Sequence, residues 1–158
     1  GVLIMLFWWV ANQWLVAVGG ERSRTMPLIG SVASAFMMLY VAALGEVGDL
    51  YYTLRRIGII LFFSLSFVAQ LIFLKRAADS IRQPTLAESR VLRAQRVAAL
   101  MLLGIGISSV ILDMTYARYD AIEDAFEWVM MLFVVVQFCS HYLLWRGAGL
   151  SVTFSANR

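Results

Sequence analysis

Trp128-Val-Met-Met-Leu-Phe-Val-Val-Val-Gln-Phe-Cys-Ser-His-Tyr-Leu-Leu-Trp145 decides the fold. It contains no carboxylate, lysine or arginine. A bilayer core about 30 Å thick needs roughly 20 mainly apolar residues in helix, within a range of about 17–25. A tryptophan at each end suits the two membrane–water interfaces. The strict apolar–polar alternation of a membrane β-strand is absent. The stretch reads as a membrane-spanning helix.

Four more stretches read the same way. Residues 2–18 end at Gly19-Gly20, 27–44 start on a proline, and 57–74 and 97–114 follow, the last extendable to Tyr116. The fifth span is set at 126–145. Pro27 is placed at a helix start, where its missing N–H costs nothing. The expected fold is all-α: one integral membrane helical bundle over 1–158, with five transmembrane helices.

Composition agrees. Hydrophobic residues are 61% of the 158 and charged residues 15%, with a mean hydropathy of +0.79. Soluble domains average about 45–50% and about 25%. One cysteine, Cys139, excludes an internal disulfide. One histidine, His141, excludes bis-histidine haem and multi-histidine metal sites. The only lysine, Lys75, falls in a polar segment, so a buried Schiff base has no candidate. Walker, Rossmann, nucleophile-elbow and metalloprotease motifs are absent. No cofactor, metal or nucleic-acid partner is expected; the expected partners are membrane lipids and, alternatively, other membrane subunits.

Counting basic residues loop by loop orients the chain. Ten of the 13 fall on one side: Arg22, Arg24, Lys75, Arg76, Arg82, Arg90, Arg93, Arg96, Arg146 and Arg158. Arg55, Arg56 and Arg118 fall on the other. The positive-inside rule puts the larger set in the cytoplasm, with the amino end outside and the carboxyl end cytoplasmic. The first segment lacks a basic leader region and does not read as a signal peptide. An upstream segment, such as a sixth helix, is therefore expected. In the long inner segment, Thr85-Leu-Ala-Glu88 has capping-box spacing and Pro84 precedes it, so the fourth helix is expected to begin near Leu86.

Asp120, Glu123, Asp124 and Glu127 are spaced 0, 3, 4 and 7, which puts four carboxylates on one helical face. Asp120, Glu123 and Asp124 form a candidate cation site, because hard cations take oxygen ligands. The plainer explanation is that Asp120-Ala-Ile-Glu123 caps the fifth helix and that acids in a first turn suit the helix dipole. Glu127 fits capping least, since it enters the apolar stretch beside Trp128, and it is a weak catalytic or ion-pathway candidate. His141 is expected near the inner interface, comfortable there without a function. Asn12, Gln13, Gln70 and Gln137 are expected to make interhelical hydrogen bonds. Gly30/Ser34, Ser31/Ala35 and Gly104/Ser108 are expected to let helices approach closely. Arg90, Arg93 and Arg96 are candidate contacts for anionic headgroups, and positive-inside topology alone explains them equally well.

Two stretches carry a family resemblance: Leu44-Gly-Glu-Val-Gly-Asp-Leu-Tyr-Tyr-Thr-Leu-Arg-Arg-Ile-Gly-Ile-Ile-Leu-Phe-Phe63 and Ala125-Phe-Glu-Trp-Val-Met-Met-Leu-Phe-Val-Val-Val-Gln-Phe-Cys-Ser-His141. Together they resemble the damage-regulated autophagy modulator family, which includes the GPI-anchor lipid-remodelling factor. The resemblance implies a six-helix layout, of which this chain matches helices two to six, and a role in lipid handling or trafficking. The family's histidine before the Ile-Gly…Phe-Phe helix is replaced here by Arg55-Arg56, so no role is carried over to that position. Three functional expectations follow: lipid handling, an accessory subunit of a membrane complex, and an enzyme or ion pathway using Glu127.

Overall fold

The computed structural model describes residues 1–45, 47–81 and 85–147, with only the backbone of Asp120 and Gly147. Glu46, Arg82, Pro84 and Arg158 lie outside the described residues. Among those described, five α-helices run in order: α1 (Val2–Ala17), α2 (Thr25–Ala43), α3 (Asp49–Ser80), α4 (Leu86–Thr115) and α5 (Glu123–Gly147). A single 3-10 turn, Tyr119–Ala121, precedes α5. Four of the helices, α2 to α5, are long and apolar enough to cross a membrane. At 16 residues α1 is shorter, about 24 Å on an ideal rise.

Local sequence explains the helix ends. After α1, the Gly20 N–H reaches back to the Leu15 carbonyl (2.8 Å) and the Gly19 N–H to Val16 (3.1 Å), with Gly19 at φ +97°. That is a Schellman ending, which favours a glycine at the left-handed position. Helix α2 starts two residues before Pro27, and the proline is still in the first turn, where amides have no intrahelical partner. Helix α4 starts at Leu86 on a complete capping box: Glu88 N–H donates to Thr85 Oγ1 (3.2 Å), and Thr85 N–H donates to Glu88 Oε2 (2.8 Å).

Two expectations need correction here. Helix α3 covers 32 residues, far beyond 57–74, so Arg55 and Arg56 stand on a helix rather than in a loop. No proline or glycine pair stops the helical pattern upstream of Ile57, and Gly48 precedes its first residue. Helix α5 begins at Glu123, and the Asp120 backbone lies inside the preceding 3-10 turn. The four carboxylates therefore do not share one continuous helical face.

In lipid, helices associate through close packing rather than water exclusion. A Cβ on Gly30 would fall 2.2 Å from the Trp8 ring, so α1 and α2 meet there. A Cβ on Gly58 would fall 3.0 Å from the Tyr40 backbone nitrogen, which joins α2 to α3. Trp9 Nε1 also donates to Ser31 Oγ (3.1 Å). By contrast, a Cβ on Gly104 meets nothing within 4 Å, so the Gly104/Ser108 spacing holds no helix partner at Gly104.

The core has two parts. One gathers Trp8, Trp14, Leu15, Phe73, Leu92 and Leu144. The other gathers Ala33, Ile59, Phe62, Phe63, Leu102 and Val134. His141 lies in the first, fully buried, 4.2 Å from the Phe73 ring and 4.9 Å from Phe7 between centroids. Its side chain is enclosed by neighbouring helices. Its Nδ1–H donates to the Gln137 carbonyl (2.6 Å), which satisfies one ring nitrogen within its own helix. Asn12 Oδ1 accepts from Arg76 Nη1 (2.7 Å), linking α1 to α3. Gln70 is buried, but its amide has no hydrogen-bond partner among the described residues, contrary to expectation. Gln13 is exposed.

Candidate functional site

The pairs that cross between helices define the two ends of the bundle. Arg56 on α3 forms an ion pair with Asp113 near the end of α4. Tyr40 near the end of α2 donates through Oη to Glu127 Oε2 near the start of α5 (3.0 Å). One end therefore collects the finish of α2 and α4 with the start of α3 and α5. Arg76, which also donates to the Glu21 carbonyl, marks the opposite end.

The Glu127 end holds two cavities. The first, about 400 Å³, is a cleft among α3, α4 and α5, walled by side chains such as Ile60, Phe63, Leu103, Ile107 and Val110. Ile60, Leu103, Ile107 and Val110 are exposed on the flank of the bundle, so the cleft opens sideways. Its polar edge holds Arg56, Asp113, Ser109, Tyr119, Glu123 and Glu127. The second cavity, about 460 Å³, lies among α2, α3 and α5. Tyr40, Tyr52, Arg55, Asp124 and Trp128 line it. Both volumes fall within the roughly 300–1,000 Å³ typical of ligand sites. Arg56, Ile59, Glu123 and Glu127 line both cavities, so the two share a wall.

Glu127 is half-buried, and its partner comes from another helix. Its neighbour Trp128 is 76% exposed, as expected of adjacent helical residues that point about 100° apart. Asp124 is exposed and lines the second cavity. The proposed cation set includes Asp120, whose side chain lies outside the described residues. Among those described, no three histidine, cysteine or acidic side chains group closely enough to hold a metal ion. Arg90, Arg93 and Arg96 are exposed on the first turns of α4, at the opposite end from Glu127.

Sequence reasoning missed Tyr40, Arg55, Arg56, Asp113 and Tyr119 as parts of this site. Arg56 Nη1 also donates to Tyr52 Oη (3.3 Å), and the Arg55 guanidinium lies 5.8 Å from the Tyr52 ring centre. Tyr119 and Ser109 share a hydroxyl hydrogen bond that pins the turn before α5 to α4. Asp113 at the end of an apolar helix was a visible signal, because a carboxylate at that depth calls for a partner. Tyr40 offered none; only the folded chain brings it to Glu127.

Comparison of the chain with family models, with curated proteins and with solved structures finds no match.

Proposed function

We propose that this chain is a five-span membrane protein, amino end outside and carboxyl end cytoplasmic, that binds membrane lipid at the Glu127 end of the bundle. The observation that carries the reading is the sideways-opening cleft among α3, α4 and α5. Its apolar walls suit an acyl chain, and its edge of Arg56, Asp113, Glu123 and Glu127 suits a polar headgroup. The resemblance to the damage-regulated autophagy modulator family favours the same function class. On this reading the short α1 completes the fifth crossing by packing against α2 and α3.

The cleft can be closed from within. A Cβ on Gly106 meets nothing within 4 Å, and Gly106 lines the cleft, so a large side chain there has room to enter it. Full-length protein extracted in mild detergent should carry lipid identifiable by mass spectrometry, and Gly106→Trp should lose most of it. Equal lipid content in the two proteins, both folded, rejects the reading.

A subunit role is the second reading. It rests on α4, of whose most apolar window only 11% is buried within the bundle. Leu100, Met101, Val110, Ile111 and Met114 lie exposed along it. A monodisperse particle of one chain after gentle extraction opposes this role, and co-extraction of a stoichiometric membrane partner supports it.

A further inference from the structure

The second cavity carries charge of both signs on different helices: Arg55 and Arg56 on α3, and Glu123, Asp124 and Glu127 on α5. On α3, Arg55 has no ion pair among the described residues. It lies instead beside the Tyr52 ring, 5.8 Å from its centre. A guanidinium held on an aromatic ring keeps its planar fork available for an oxyanion. On α5, Asp124 and Glu127 line the same space beside Trp128, and Tyr40 closes it from α2. Carboxylates together with aromatic rings are the chemistry that recognises a quaternary ammonium.

A simple anion would meet the carboxylates of α5, and a simple cation would meet Arg55. A zwitterion meets neither penalty. Glu127 Oε2 already accepts the Tyr40 hydroxyl, and Met37 and Met131 line the cavity with thioethers. Such surfaces suit a cation that has no N–H to donate. We infer that this cavity binds a phosphocholine-type zwitterion, with its phosphodiester on Arg55 and its quaternary ammonium against Asp124, Glu127, Tyr40 and Trp128. The inference rests on the proposal that lipid occupies the adjoining cleft. Because Glu127 and Arg56 line both spaces, the cavity adjoins the cleft that the acyl chain would occupy.

The test offers the detergent-purified full chain an equimolar mixture of phosphatidylcholine and phosphatidylglycerol and reads the retained lipid by native mass spectrometry. Wild type should retain phosphatidylcholine over phosphatidylglycerol by about fivefold or more, the selectivity of one well-placed cation–π contact. Asp124→Asn with Glu127→Gln should lose that preference. Arg55→Gln should lower phosphatidylcholine retention, and Arg55→Lys should restore part of it. Soluble glycerophosphocholine separates the two sources of the zwitterion. If it displaces phosphatidylcholine, the headgroup alone supplies the recognition. If it does not, while the lipid preference holds, the ligand is the membrane-borne headgroup.

Equal retention of both lipids by wild type overturns the inference, as does an intact preference in the folded double variant. If Gly106→Trp strips lipid while wild type shows no headgroup preference, the cleft stands and the zwitterion site fails. If neither lipid nor glycerophosphocholine is retained, both fail.

Discussion

Glu127 stands one turn into α5, half-buried, with the Tyr40 hydroxyl 3.0 Å from its carboxylate. A hydrogen bond to a charged group contributes about 1.5–3 kcal/mol, and one between neutral groups about 0.5–1.5 kcal/mol. Tyr40→Phe removes the donor and should cost about 1–2 kcal/mol in unfolding measurements on detergent-solubilised protein. Glu127→Gln keeps an acceptor oxygen and should cost less. Combining the two should be non-additive by at least about 0.5 kcal/mol, as for residues in direct contact. Strict additivity would show that the pair does not interact. Glu127 was legible in the sequence as a carboxylate too deep for capping, whereas its partner was not, because Tyr40 and Glu127 are 87 residues apart. His141 was legible only as a lone polar ring. Its burial follows from the Phe7 and Phe73 rings on two other helices.

At the scale of elements, the small-residue seams divide into used and unused. Gly30 lies under the Trp8 ring, and Gly104 faces open space. Gly30→Ala should therefore destabilise the fold by about 1–3 kcal/mol through overpacking. Gly104→Ala should be neutral or stabilise by up to about 1 kcal/mol, because alanine favours helix over glycine. Thermal unfolding of the two variants side by side distinguishes them, and equal melting shifts would refute the close α1–α2 approach. Small-residue spacing was visible at both places. The sequence could not say which had a neighbour, and Gly58, with Tyr40 closely packed against it, lay outside the recognised spacings. Helix lengths were misread for a related reason. Hydropathy marks where apolar side chains run, but backbone hydrogen bonding carries α3 on through Arg55 and Arg76 at either end.

For the whole molecule, apolar run lengths made an all-helical chain legible, because each long run must satisfy its own backbone in lipid. The order of contacts between helices was not legible, since an apolar face looks the same toward lipid as toward a neighbour. The orientation rests on arginine placement and is open to direct test. With Cys139 replaced by alanine, Arg118→Cys should react with a membrane-impermeant maleimide in intact cells, and Ser89→Cys should react only after permeabilisation. The same label on both would refute the five-span topology, because α4 separates the two positions.

On the five-span reading, the long α3 also sets a preferred membrane thickness. Between Arg56 and Lys75 it presents a charge-free, mainly apolar length, Ile57 to Leu74, of roughly 27 Å. The guanidinium groups flanking this length are tied, Arg56 to Asp113 and Arg76, just past Lys75, to Asn12 and Glu21. A helix clamped at both ends cannot shift its charges to suit a deeper bilayer, so the lipid around it must thin, at fractions of a kcal/mol per Å of mismatch. On the five-span reading, that length is nearer a hydrocarbon core of about 27 Å than one of about 32–33 Å. Reconstituted into bilayers of increasing acyl length, it should resist unfolding best in the thinner ones, and loosening the clamp with Arg76→Gln should flatten that dependence.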